Sequence, residues 1–298
     1  MKSDKHILIT GSHRSGSTWV GRILSSSSEF VYVDEPFNIG KDHKNSPFKN
    51  QFEYLDGKSP SEQFEARKYL NSFHSLSPGI TFSKISKIRS LKQGRRFLSD
   101  IKSRITRRYI YKDPLALMSA EWIHQTYGWK VVILVRHPAA FVASLKVKDW
   151  QFYFHYFLNQ PTLINKHLAA YEDDIREYTR DRPDIIKQGI LLWNILYTMV
   201  LYYKEKYGDQ WYFVKHEDLS VKPREEFQKL YEFLDIEFDD GAIGQIEEST
   251  SATKNSLLKR DSKQNIKTWK ERLTKEEIEL IYAETKDVWK HYYTEDDW

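Results

Sequence analysis

Between residues 11 and 18 the chain reads Gly11-Ser12-His13-Arg14-Ser15-Gly16-Ser17-Thr18. Two glycines five apart, four hydroxyls and one guanidinium in this stretch make a cradle for an anion. Gly11 and Gly16 let backbone N–H groups approach a ligand closely. Ser15, Ser17 and Thr18 add hydroxyl donors, and Arg14 adds a planar, permanently charged fork. The loop follows the apolar run His6–Thr10 and precedes Trp19-Val20-Gly21-Arg22-Ile23-Leu24, so strand, loop and helix come in order and a helix N-terminus completes the cradle. This is the frame of a phosphate-binding P-loop. Ser17, however, stands where a nucleoside-triphosphate loop carries its lysine, and the cation lies upstream at Arg14. A triphosphate normally needs that lysine and a metal. The loop therefore suits a less charged phosphosulfate better than ATP with magnesium.

Two further segments end in charged turns. Lys130–Val135 is short, continuous and β-branched, as a buried strand should be, and runs into Arg136-His137-Pro138-Ala139-Ala140-Phe141-Val142-Ala143-Ser144, with Ser144 eight residues beyond Arg136. Tyr109-Ile110-Tyr111 runs into Lys112-Asp113-Pro114. In open α/β sheets ligands bind beyond the carboxyl ends of the strands, so three such turns predict one composite site.

Together these motifs resemble the PAPS-dependent sulfotransferases. Arg14 to Trp19 is similar to that family's 5′-phosphosulfate loop, and Arg136 to Ser144 to its 3′-phosphate motif. Val33-Asp34-Glu35-Pro36 resembles the acidic turn of the carbohydrate and protein-tyrosine branches, as does Lys112-Asp113-Pro114-Leu115 that of the protein-tyrosine branch. Phe213 to Leu219 resembles the late strand with its "YEDL" ending, although Lys215-His216 departs from the usual tyrosine, and Trp269 resembles the tryptophan ahead of the C-terminal helix. The resemblance spans about residues 5–290 and leaves 40–107 and 147–190 without a counterpart.

The resemblance implies sulfuryl transfer from PAPS to an acceptor hydroxyl (carbohydrate, glycolipid, tyrosyl or phenolic), with release of PAP and no metal. It implies Arg14, Ser15, Gly16, Ser17, Thr18, Trp19, Arg136 and Ser144 as donor-binding residues, with Arg260 as a further phosphate contact, and Glu35, Arg14 and Lys112 as catalytic residues. Glu35 closes a strand before Pro36, so its backbone should be extended and its carboxylate free to take a proton. Asp34 should face the other way. Asp113 is a reserve base. Lys112 would stabilise charge on the leaving oxygen. The histidine base of the cytosolic branch is not carried over, since Pro114 occupies its place. Two other readings stand beside this one: a P-loop kinase using ATP with magnesium, and a nucleotide- or glycan-binding protein without catalysis.

At 298 residues and 40% hydrophobic content, with mean hydropathy −0.66, the chain suits one α/β domain with a substantial core. Strands alternating with helices predict a P-loop-type three-layer fold, a central parallel sheet flanked by helices. The domain covers residues 1–298, with substrate-specific insertions at 37–107 and 147–190. Helices are expected at 16–27, 62–73, 115–127, 138–148, 188–207, 224–234 and 275–291, strands at 6–10, 30–34, near 80–84, 108–112, 130–135 and 211–215, and a loop over 240–268. Absence of cysteine excludes disulfides, thiol nucleophiles and Cys-type zinc sites. No leader pattern and no apolar run near 18 residues is evident, which points to the cytoplasm.

Residues 84–108 hold ten Lys or Arg against one acid, Asp100, with apolar residues interleaved at near-helical spacing. This is either a solvated helix packed on the domain or a basic amphipathic helix touching an anionic surface; no nucleic-acid module accompanies it. The aromatic run Trp150 to Phe157 serves either acceptor stacking or packing. Oligomeric state leaves no trace in the sequence.

Overall fold

The computed structural model describes residues 6–27, 29–41, 43–74, 89–90, 93–95, 107–250 and 266–298. The strand expected near 80–84, most of the basic stretch 84–108 and Arg260 lie outside the described residues.

Five strands, β1 (Ile7–Gly11), β2 (Phe30–Asp34), β3 (Arg108–Lys112), β4 (Lys130–Val135) and β5 (Tyr212–Lys215), form one parallel sheet in the order β2-β3-β1-β4-β5. The expected three-layer α/β architecture is the observed one. Its cause is visible in the side-chain period of two. Ile7 and Ile9 of β1, with Val132 and Leu134 of β4, enter one core, while Leu8, Val131, Ile133 and Val135 enter the other. A parallel sheet covered on both faces needs such near-continuous apolar strands.

On one face lie α1 (Ser17–Leu24) and the helices Pro223–Leu234 and Asp240–Thr250. On the other lie α4 (Pro138–Lys148) and α5 (Ile185–Tyr207), if the intervening labels α2 and α3 are given to Pro60–His74 and Ala120–Tyr127. Asp184 caps α5 by accepting hydrogen bonds from the N–H groups of Ile186 and Lys187. By length and apolar composition this 23-residue helix would span a bilayer, unlike the sequence expectation of no such run. Two thirds of its apolar window is nevertheless buried inside the domain, where Leu192, Trp193, Leu196 and Val200 pack into the core.

Three expected elements differ. The helix expected over 115–127 begins as a 3-10 segment, Pro114–Ser119, and becomes α-helical only at Ala120. Asp113 caps that segment through Leu115 N–H. Residues 240–250, expected as loop because of Gly241 and Gly244, form a helix that buries Ala242 and Ile246. The helix expected over 275–291 breaks at Thr285, a buried residue whose hydroxyl donates to Ile281 O, into Lys275–Glu284 and Lys286–Trp289.

Register brings the carboxyl ends together: Gly11 lies opposite Leu134, Asp34 opposite Lys112 and Val135 opposite Lys215. The strand order also reverses at β1, whose neighbours are β3 on one side and β4 on the other. That is the crevice where ligands bind in such sheets. Gly11 makes the sharp exit possible. Its φ is 143°, and a Cβ there would sit 2.4 Å from the Leu134 carbonyl oxygen. Gly11→Ala should therefore lower stability in urea denaturation by at least about 1 kcal/mol; an unchanged midpoint would contradict the close approach.

Candidate active site

The loop from Gly11 to Ser17 leads into α1 with Gly16 as its N-cap in the left-handed region, φ 95°. A Cβ at Gly16 would come within 2.4 Å of His216 Nδ1, so the loop backbone packs directly against the His216 ring, whose Nδ1 is buried. Arg14 also has a left-handed backbone, φ 66°, which is uncommon for a residue with a side chain. Its guanidinium is exposed and its Nε donates to Ser144 Oγ at 2.9 Å. The two predicted donor motifs, 130 residues apart in sequence, thus meet. Ser15 Oγ is buried and has no hydrogen-bond partner, a polar orphan inside the cradle. Ser17 is buried, Thr18 is exposed, and Trp19 is half-buried with its indole N–H on Ser249 Oγ.

Arg136 lies at the end of β4 with its side chain largely buried and its Nε 3.7 Å from Glu217 Oε1. Glu217 is pushed above its ordinary value by burial, partly offset by the Arg136 charge. It also accepts from His137 N–H at 3.2 Å and from Tyr293 OH at 2.9 Å. His137 itself turns away from Arg136, stacked on Trp269 with ring centroids 5.1 Å apart. Burial drives it down to about 3, so it stays neutral.

Tyr197 was not a sequence candidate. It sits in the middle of an apolar helix, where a tyrosine reads as core. Its buried OH accepts from Arg136 N–H at 2.7 Å and is 2.9 Å from Ser12 Oγ. One phenol therefore fixes the phosphosulfate-like loop to the end of β4.

The other half of the site is a cluster of charges. Lys112 Nζ lies 2.5 Å from Glu35 Oε1 and 2.6 Å from Asp34 Oδ1. Lys41 completes the cluster, paired with Asp34 and 2.9 Å from Glu35 Oε2. Two expectations fail here for one reason. Glu35 is not extended: its φ is 54°, in the left-handed region. The strand alternation therefore ends at Asp34, and Asp34 and Glu35 reach the same ammonium instead of facing apart. The turn is held by Glu35 N–H on Lys112 O at 2.9 Å, by Asn38 N–H on Glu35 O at 3.0 Å and by His43 Nε2 against Glu35 O at 2.9 Å. Asn38 Nδ2 also donates to Glu35 Oε2 at 2.8 Å. Lys41, Asn38 and His43 lie in a segment with no motif, so nothing in their spacing marked them.

Asp113, the reserve base, is fully buried, and both its oxygens are engaged, Oδ2 by Phe37 N–H at 2.6 Å and Oδ1 by Leu115 N–H at 2.9 Å. Burial pushes it up to about 7. It ties the β2 turn to the Pro114 segment.

Beside Glu35 a narrow cleft of about 50 Å3 opens to solvent. Glu35, Asn38, Gln51 and His13 give it polar groups; Pro114, Leu115, Phe152 and Trp150 give it apolar surface. The aromatic run, expected either to stack on an acceptor or to pack, divides by burial. Phe152, Phe154 and Phe157 are core residues, while Trp150 and Tyr153 are exposed. Among the described residues no group of three or more His, Asp or Glu side chains is placed to hold a metal ion.

Glu35 is raised by burial but lowered more by hydrogen bonds from Lys112, Asn38 and Lys41, and ends below the ordinary carboxylate range. Lys112→Met should therefore raise the Glu35 carboxyl pKa, by about one unit or more, in an NMR titration of the carboxyl carbon. An unmoved titration would show that Lys112 does not hold Glu35 ionised.

The family model described as "Sulfotransferase family" matches residues 6–240. No curated protein matches the chain. Solved structures similar to it include the sulfotransferase domain from the curacin biosynthetic pathway, 14% identical, covering 94% of this chain and 96% of that one, with TM-score 0.48. A mouse sulfotransferase complexed with PAP is 13% identical over 97% of this chain and 85% of its own, with TM-score 0.44. A Mycobacterium avium sulfotransferase is 12% identical over 98% and 77%, with TM-score 0.48. With its family model matched over most of its length and its motif residues gathered at one sheet edge, this chain belongs to the sulfotransferase family.

Proposed function

We propose that the protein transfers a sulfuryl group from PAPS to an acceptor hydroxyl at the carboxyl edge of its sheet. The observation that carries this reading is the meeting of Arg14 with Ser144 at 2.9 Å. It joins a phosphosulfate-type loop to an Arg-x7-Ser phosphate motif across one crevice. The cradle fits such a donor: an orphaned buried hydroxyl at Ser15, two backbone approaches closed to a Cβ, and cations at both ends in Arg14 and Arg136. PAPS supplies a sulfuryl group on a phosphate leaving group.

The chain's residues divide the remaining work. The loop amides, Ser15, Ser17 and Thr18 hold the 5′ end. Arg136 and Ser144 hold the 3′-phosphate and so select PAPS over donors lacking it. Trp19 offers an indole face beside α1. Lys112 stands where charge develops on the leaving oxygen, and Glu35, ionised and at the mouth of the cleft, takes the acceptor proton. The pairing of Lys112 with both acids keeps it in reach of either role. Segments around residues 38–51 and 150–152 line the cleft, in keeping with acceptor choice residing in the two insertions. The acidic turn at Asp34-Glu35-Pro36 favours the carbohydrate or protein-tyrosine branch.

Calorimetry with PAP, beside ATP with and without magnesium, tests the donor. Tight metal-independent PAP binding is expected, with Arg136→Ala weakening it by tenfold or more. Magnesium-dependent ATP binding without PAP preference would favour a kinase, and PAP binding without transfer to any acceptor a binding protein. Glu35→Gln should lower kcat by about 10²-fold or more while leaving PAP affinity in place. Because the lowered carboxyl must be ionised to act, kcat/KM should stay flat through neutrality and fall only below the ordinary glutamate value of about 4.3.

A further inference from the structure

Resting on that reading, we infer that the acceptor is an aryl hydroxyl whose ring lies in the cleft between Trp150 and the Pro114-Leu115 surface, with its oxygen at Glu35. The cleft is narrow, and Trp150, Phe152, Pro114 and Leu115 give it apolar surface against which the flat face of a ring can pack. Trp150 is held ready for that contact. The left-handed Asp149, φ 47°, ends α4, and Trp150 N–H returns to Leu145 O at 3.1 Å. The indole is thereby set with its centroid 4.7 Å from the His13 ring, yet 42% of the residue remains exposed. An indole that open, on a fixed backbone and beside a candidate base, offers a face that the fold itself leaves uncovered.

The polar groups of the cleft select against other acceptors. A sugar presents hydroxyls around its whole edge and needs a partner for each once desolvated. Here Glu35 and Asn38 are already hydrogen-bonded to each other, and Asn38 Oδ1 accepts from Gly40 N–H at 2.9 Å, which leaves Gln51 and His13 as the polar groups for further hydroxyls. His13, only 6% exposed, keeps an unpartnered Nδ1. Burial drives His13 down to about 3, so it lines the cleft as a neutral imidazole. No cation is among the described residues lining the cleft, and Lys41 and Lys112, beside Glu35, are paired with Asp34 and Glu35.

The chemistry agrees. A carboxylate held below its usual range is a weak base. A phenolic hydroxyl ionises near pH 10, whereas an alkanol resembles water, near 15.7. In the transfer, the aryl oxygen forms a bond to sulfur as the bond from sulfur to the 5′-phosphate oxygen breaks. The electron pair of that bond leaves on the phosphate of PAP, and the aryl proton passes to Glu35.

The test uses the full chain with PAPS as donor and four acceptors: 2-naphthol, a tyrosyl peptide, cyclohexanol and a hexose. The aryl acceptors should exceed cyclohexanol and the hexose in kcat/KM by about 10²-fold or more. Transfer to 2-naphthol alone would identify a small phenol, and transfer to the peptide as well a tyrosyl side chain; each supports the inference. Trp150→Ala should raise the aryl KM about tenfold with PAP affinity unchanged by calorimetry, and Trp150→Phe should restore most of it. Preference for cyclohexanol or the hexose, or no aryl transfer by protein that binds PAP, overturns the inference and leaves the donor site standing. Failure to bind PAP is a separate result: it removes the donor assignment, and this inference with it.

Discussion

An ammonium with 3% of its side-chain surface exposed stays charged only if anions replace its water. Lys112 is such a group, placed by β3 at the carboxyl edge of the sheet, and the geometry around it follows from that requirement. Asp34 lies opposite it in register on β2, which supplies one carboxylate. A second must come from the next residue, and a regular strand would send that residue to the other face. The left-handed backbone at Glu35 solves the problem. It costs on the order of 1 kcal/mol or more as local strain and is retained because Lys112 O, Asn38 and His43 hold the turn. Strain of this kind gathers at Arg14 as well, whose guanidinium reaches Ser144 across the crevice.

What could be read in advance depended on whether a signal was local. The strands were legible because a sheet buried on both faces demands unbroken apolar runs, and Lys130–Val135 is one. The loop at 11–18 was legible because glycine has few other uses between a strand and a helix. That the turns around Arg14 and Arg136 share one site followed from two motifs that each end a strand, whereas the direct Arg14–Ser144 hydrogen bond had no signal in the sequence. The backbone of Glu35 was not legible. Proline after it predicts extension, and only the tertiary partners of the turn overrule that preference. Asp240–Thr250 was misread because its two glycines argue for a loop, whereas burial of Ala242 and Ile246 decides for a helix. Tyr197 carried no signal at all. A tyrosine among leucines and isoleucines is indistinguishable from packing until its OH is seen between Ser12 and Arg136.

These particulars divide the site into two mechanical parts. The donor half is built from backbone and buried groups. The Gly11 exit against Leu134, the Gly16 contact with His216, the Tyr197 bridge and the Glu217–Tyr293 support behind Arg136 all leave little room to move. In the transfer proposed above the donor is common to every turnover, and such a ligand gains from pre-organisation, since ordering a loop at each binding event would cost affinity. The acceptor half is built differently. Asn38, Lys41, Gln51 and Trp150 come from segments outside the sheet. Buried polar anchors hold the neighbouring chain, such as Glu53, which accepts from Lys49 N–H and Asn50 N–H and pairs with Lys58 at 2.7 Å.

Glu35 belongs to both parts, and this sets the chemistry. Its backbone is bound to β3 through Lys112 O, while its carboxylate opens on the cleft that the insertions shape. In the transfer proposed above, the same lysine that helps keep it ionised would face the charge developing on the leaving group. One buried cation shared between two acids is then the group common to both halves of that reaction. Bringing both acids to it is what the strained turn at Glu35 does.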